Sequence, residues 1–196
     1  MSKKIVLPKA EALLFPVPTA LISCRDAQGR PNIITLAWVG VASSQPPTLS
    51  LGIRANRFSY GIIKESGEFV VNLPGAELVE AADLCGTVSG RTTDKFASFN
   101  LTEQEAIAVK APLIAECPVN VECRLKQIIP IGTHDLFLGE VLHIHVAEEL
   151  LVNGKIEFQR LRPLAYLSGA YHVVGEEIGR MGFAVKKKTS PSRADI

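Results

Sequence analysis

Short apolar runs broken at close intervals by turn signals constrain this chain more than any other feature of its sequence. Thr19 to Cys24 alternates along its length, Asp26-Ala27-Gln28-Gly29 reverses the chain, and Asn32 to Val39 returns, which reads as a β-hairpin. Pro46-Pro47 breaks the next stretch and leads into a strand over Thr48 to Ile53. A further strand, Glu68 to Leu73, is closed by Pro74. Later, Val119, Val121, Cys123 and Leu125 alternate with Asn120, Glu122, Arg124 and Lys126, so one face of that strand is expected to be buried and the other wet. Leu136 to Val146 follows across Gly132-Thr133-His134, and a strand around Ile156 to Phe158 is reached through the tight-turn sequence Val152-Asn153-Gly154-Lys155. Helical spacing is confined to short pieces. One is expected from an N-cap at Asn56 towards Glu65, another over Glu77 to Cys85 with Leu78, Ala81, Ala82 and Cys85 on one face. About seven strands at hairpin spacing predict a mainly β protein with short helices, its antiparallel sheet closed or nearly closed into a barrel.

At 196 residues and 47% hydrophobic the chain can bury one substantial core, so a single domain over 1–185 is expected, followed by a basic, solvated tail over 186–196. The 21 Lys and Arg nearly cancel the 20 Asp and Glu, which leaves no general field to hold nucleic acid or an anionic membrane. The longest apolar run, around Leu36 to Ala42, falls far short of the roughly 20 residues a bilayer requires, and the N-terminus lacks the pattern of a signal peptide. A cytoplasmic protein is expected. Cys24, Cys85, Cys117 and Cys123 form no CxxC pair, so metal ligation is not expected, and three of them sit in strand runs as small buried hydrophobes. Cys85 instead precedes Gly86 and a basic loop. His143 and His145 share a strand face by period two, a spacing that fits an interface or a metal.

Two clusters carry chemistry. The strand ending at Ile53 runs into Arg54, Asn56, Arg57, Ser59 and Tyr60, where guanidiniums, an amide, hydroxyls and the start of a helix converge. Such a junction suits an anion, above all a phosphate, and equally suits a capped helix with solvated arginines. The second cluster, Ser89-Gly90-Arg91-Thr92-Thr93-Asp94-Lys95, is again glycine-bearing, hydroxyl-rich and basic. No Gly-x-Gly-x-x-Gly and no Walker-type loop is present, so neither a dinucleotide fold nor a P-loop holds the phosphate.

Taken in order, Asn32-Ile33-Ile34-Thr35-Leu36-Ala37-Trp38, Leu51-Gly52-Ile53-Arg54 with Asn56-Arg57-Phe58-Ser59, Gly67 to Pro74, and Ser89-Gly90-Arg91 with Asp94-Lys95-Phe96 resemble the flavin reductase-like family of FMN-binding split barrels, in particular its flavoredoxin branch. The resemblance covers roughly residues 10 to 175 and implies a six-stranded split barrel, a homodimer, and FMN held noncovalently near the subunit interface. It places Thr35, Leu36, Ala37 and Trp38 along the flavin ring, where an apolar wall with a few donors is required. Read without it, Trp38 is an ordinary core aromatic. Gly52, Ile53, Arg54, Asn56, Arg57, Phe58 and Ser59 would surround the ribityl phosphate, with one of the two arginines giving a bidentate contact. Ser89, Arg91 and Lys95 would lie over the FMN, Lys95 at the phosphate or at the O2 edge of the ring, with Asp94 an orienter or N-cap. His134 would approach the flavin across the dimer interface as donor or proton carrier, whereas the residues alone leave it a turn histidine.

The reading is therefore an oxidoreductase that moves electrons between NAD(P)H and flavin or an acceptor. Its alternative is a flavoredoxin-like carrier that exchanges electrons with a protein partner. A barrel that keeps the phosphate pocket for another ligand, such as pyridoxal phosphate, is the third possibility.

Overall fold

The computed structural model describes residues 2–186; the tail residues 187–196 lie outside them. Seven strands form the main sheet, in the order Pro31–Leu36, Ala20–Arg25, Glu68–Leu73, Val119–Pro130, Asp135–Val146, Pro47–Ile53, Val39–Ser44, and every neighbouring pair is antiparallel. The first and last strands in that order are consecutive in the chain. Only Ala37 and Trp38 separate Leu36 from Val39, and so short a link holds the two ends of the sheet close together. The sheet therefore curls on itself into a barrel that is split at this bend.

The bend corrects two expectations: the hairpin strand stops at Leu36 rather than running to Val39, and the implied six strands become seven. Its cause is local. Gly52 N–H donates to the Trp38 carbonyl at 2.7 Å, and a Cβ on Gly52 would stand 2.9 Å from the Trp38 Cβ, so the partner strand admits the turn only where it has no side chain.

Inside the barrel, Ile22, Leu51, Ile53, Phe69, Cys123 and Phe137 are fully buried and pack with Ile62 and Ile63 of the helix Phe58–Ser66. Leu21 and Ile33 point to the opposite face, where Ala82 and Cys85 of the helix Val79–Thr87 meet Phe96, Ile114 and Leu164. That stretch of sheet is covered on both sides, which explains its continuous apolar sequence.

The helix boundaries shift slightly from their predicted positions. Arg57, not Asn56, is the N-cap of Phe58–Ser66, and no side chain caps it, so its first N–H groups remain open. A 3-10 turn over Ala76–Leu78 precedes Val79–Thr87. Asp94 does cap Lys95–Ser98, accepting from Ala97 N–H at 3.1 Å. Asn153 and Gly154 take left-handed φ values of 51° and 73° between two short strands, as their turn signal predicts, while Phe158 opens a short helix instead of ending a strand.

The largest correction concerns the face expected to be wet. Arg124 and Lys126 are exposed, but Asn120 and Glu122 are buried, Glu122 completely. The segment containing Ile107, Ala108 and Ile114 lies over them and satisfies them. Glu122 accepts from Ile107 N–H at 2.8 Å and Ala108 N–H at 2.7 Å, and its Oε1 is 2.6 Å from His145 Nε2. Asn120 donates to Asn72 Oδ1 at 2.8 Å and to the Ile114 carbonyl at 3.0 Å. Burial alone pushes the Glu122 carboxyl up, yet these donors outweigh it and hold the group below the usual carboxylate range. The four cysteines are buried and free, Cys85 included.

Candidate functional site

Two cavities open beside the split. The smaller, about 100 Å³, lies between the start of the helix Phe58–Ser66 and the loop after Val79–Thr87, walled by Asn56, Arg57, Phe58 and Ser59 on one side and by Ser89, Gly90 and Arg91 on the other, with Asn32 and Lys95. The larger, about 310 Å³, follows Ile34, Thr35, Leu36, Ala37 and Trp38 through the bend and is closed by Gly52, Arg54, His134 and Tyr166. Ile34 and Arg57 line both, so the two form one elongated trough with a narrow polar end and a broad end where the apolar side chains of Ile34, Leu36 and Trp38 face Arg54 and His134.

The positive charge is concentrated and uncompensated. No carboxylate lines either cavity, and among the described residues neither Arg54 nor Arg57 forms an ion pair. Arg91 is held in place, its Cζ 5.3 Å from the centre of the Phe58 ring and its guanidinium donating to the Asn56 carbonyl at 3.3 Å, which ties the second basic cluster to the first. The open N–H groups at the helix start add their partial charge to the same end.

Lys95 is only 4% exposed. Its Nζ donates to the carbonyls of Ile33 at 2.7 Å and Cys85 at 2.6 Å, pinning the strand Pro31–Leu36 to the helix Val79–Thr87 and leaving one N–H at the small cavity. Burial pulls its pKa down despite the neighbouring cysteines. Lys95 lines the narrow end of the trough.

Trp38 is 41% exposed and is not a core residue. Its indole stacks on the imidazole of His134 within the same chain, with centroids 6.2 Å apart. Burial, then the nearby Arg54 and Arg57, push the His134 pKa below its ordinary value, so the ring stays neutral near pH 7. Beyond this stack lies a third, more apolar groove of about 730 Å³, bounded by Leu13, Leu14, Val17, Val39 and Ile131.

The fold thus gathers thirteen of the fifteen residues expected at a cofactor, together with His134, around the trough. The remaining two stand apart: Ile53 is fully buried inside the barrel, because a strand presents alternate residues to opposite faces, and Asp94 is occupied as a helix cap. Thr35 lines the groove, but its hydroxyl is already committed to the Ala82 carbonyl. Tyr60 also points away, donating to Asp135 Oδ2 at 2.6 Å and meeting Phe137 edge-on. Sequence reasoning did not single out Asn32, Ile34, Gly90 or Tyr166 as site residues. Asn32 carried a usable signal, as a lone amide in an otherwise apolar strand run.

Residues 12–175 match the model of the flavin reductase like domain. An uncharacterized protein of Archaeoglobus fulgidus is 40% identical over 131 residues, covering 67% of this chain and 73% of its own. Among solved structures, a flavoredoxin of Desulfovibrio vulgaris (Miyazaki F) superposes with a TM-score of 0.86 at 32% identity, covering 94% of this chain and 100% of its own. A flavoredoxin from Methanosarcina acetivorans gives 0.82 at 30% identity over the same shares.

Proposed function

The chain belongs to the flavin reductase-like family, and from that membership we propose that it is an FMN-binding oxidoreductase that passes electrons between NAD(P)H and flavin or a further acceptor. The observation that carries the reading is the two-part trough, whose narrow end offers cations and hydroxyls without a carboxylate and whose broad end offers an apolar wall of Ile34, Leu36 and Trp38 with polar groups at its edges. A terminal phosphate dianion suits the first, and a planar tricyclic ring suits the second. Arg57, shared by both cavities, is the residue to span phosphate and ribityl chain; Arg91 and Ser89 close over the phosphate, and Lys95 supports it from beneath. Ile34, Leu36 and Trp38 supply the wall for the ring, while Arg54 and His134 edge its open side. Bound FMN would supply the electron storage, and the protein its orientation, tuning and access.

A second reading is supported by the likeness to two flavoredoxins: an electron carrier whose bound flavin exchanges electrons with a protein partner instead of turning over pyridine nucleotides. In either case a cytoplasmic homodimer is proposed. No helix among the described residues is long and apolar enough to cross a membrane.

The visible spectrum of the purified protein, before and after anaerobic addition of NADH and NADPH, tests cofactor and activity together. Bleaching of a bound FMN band supports the oxidoreductase. A yellow protein indifferent to both nucleotides supports the carrier, and a colourless protein that takes up no FMN removes both.

A further inference from the structure

Asn32 and Ser59 are 4% and 1% exposed, come from a strand and a helix 27 positions apart in sequence, and meet in the wall of the small cavity with Asn32 Nδ2 2.7 Å from Ser59 Oγ. A buried amide in an apolar strand is costly unless its hydrogen bonds are made, so its presence at this point calls for a physical reason. The hydroxyl explains it. A serine oxygen can accept, but it has a single proton to give, and the Asn32 N–H already occupies one of its lone pairs. The proton of Ser59 is therefore the group left to be directed. Its protein neighbour is the Cys24 thiol, a weak acceptor whose pKa burial pushes up to about 12 and which contacts the Asn32 carbonyl at 3.7 Å. A phosphoryl oxygen in the cavity is a far stronger acceptor.

Gly90 holds the arrangement from the other side. A Cβ there would fall 1.9 Å from Asn32 Oδ1, so the loop closes directly onto the amide and only a residue without a side chain leaves it in place. Were the amide turned over, its oxygen would take the Ser59 proton and the cavity would lose a donor.

We infer that Asn32 is a positioning residue that fixes Ser59 as a hydrogen-bond donor to the phosphoryl group, so that preference for FMN over riboflavin depends on the Asn32–Ser59 pair as well as on the arginines. The inference rests on the FMN reading above.

Equilibrium dialysis of FMN and of riboflavin against protein stripped of flavin tests it. Asn32→Ala is expected to weaken FMN about tenfold, as for a lost hydrogen bond to a charged group, and to leave riboflavin within about twofold. Asn32→Asp is expected to weaken FMN further, because a carboxylate takes the Ser59 proton and adds a like charge beside the phosphate. Ser59→Ala is expected to cost much less when added to Asn32→Ala than it costs in the unaltered protein, because the first change has already removed what the hydroxyl contributes. Should Asn32→Ala not fold, Gly90→Ala displaces the amide without altering Asn32 and carries the same expectation. The inference is overturned if FMN and riboflavin weaken in parallel, if the two single losses add fully, or if Asn32→Asp binds FMN like the unaltered protein. An unaltered protein that binds FMN no better than riboflavin instead refutes the phosphate site on which the inference rests.

Discussion

Trp38 and His134 stack with their ring planes 27° apart, and the pair forms a common wall of the broad groove and of the larger apolar groove beyond it. One residue comes from the bend that splits the barrel, the other from the turn of the longest hairpin, and neither element defines the groove alone. A molecule lying in the larger groove would meet a ring seated beside Trp38 across this pair. Close, aligned approach dominates the rate of such reactions, so His134→Ala should change NAD(P)H-dependent turnover several-fold while leaving FMN affinity nearly unchanged. Anaerobic stopped-flow reduction, set beside dialysis of FMN, checks the split.

His134 also reports on its neighbours. Because Arg54 contributes to its lowered pKa, Arg54→Gln should raise the value towards the ordinary one near 6.5, as read from imidazole proton shifts in an NMR titration. A histidine lowered in the folded state favours folding above its ordinary pKa and loses that contribution as pH falls through the folded value, so the variant should lose less stability between pH 7 and 5.

Arg57 lines both parts of the trough and Arg54 only the broad part, which orders their effects on FMN. Removing one arm of a desolvated charge pair costs about 2–5 kcal/mol, so Arg57→Ala should weaken FMN strongly and Arg54→Ala less. Equilibrium dialysis measures both. If neither variant binds FMN more weakly, the phosphate is held elsewhere.

Glu122 clamps the segment over the sheet through two backbone N–H groups and His145. Glu122→Gln sets an amide NH2 against one of those donors, and a loss of about 1–3 kcal/mol in urea unfolding at pH 7 is expected. The native carboxyl lies below its ordinary range, so its contribution is complete above about pH 4.5 and disappears as pH falls through the native value. Glu122→Gln should flatten that acid limb, and an unchanged limb would show that the carboxylate does not set it.

The strand Val39–Ser44 is an edge with Val41 77% exposed, and beside it Leu13, Leu14 and Ile131 are 66%, 81% and 70% exposed. An uncovered edge flanked by apolar side chains invites pairing with another chain, and a homodimer over this face is expected. Light scattering should give twice the chain mass, and Val41→Lys should shift it towards the monomer.

The sequence by itself determined most of the strands, because period-two alternation and turn residues act locally, but not the separate strand Val39–Ser44, which exists only because the chain bends at Trp38. Glu68–Leu73 carries its predicted bounds, and Asn153-Gly154 makes the tight turn its composition requires. It also determined the two basic clusters, whose residue types state their chemistry without a fold. Only the tertiary structure decided what each face meets. Asn120 and Glu122 read as wet because alternation reports sidedness, not the segment from a distant part of the chain that comes to cover them. Asn32 read as one more strand residue because its partner Ser59 is close only in space. Lys95 read as a cation at the phosphate or the O2 edge of the ring, and its burial between two carbonyls went unread because they belong to elements it meets only through packing. Long-range contacts of this kind depend on how the sheet closes, and closure here is decided where Gly52 lets the chain bend at Trp38.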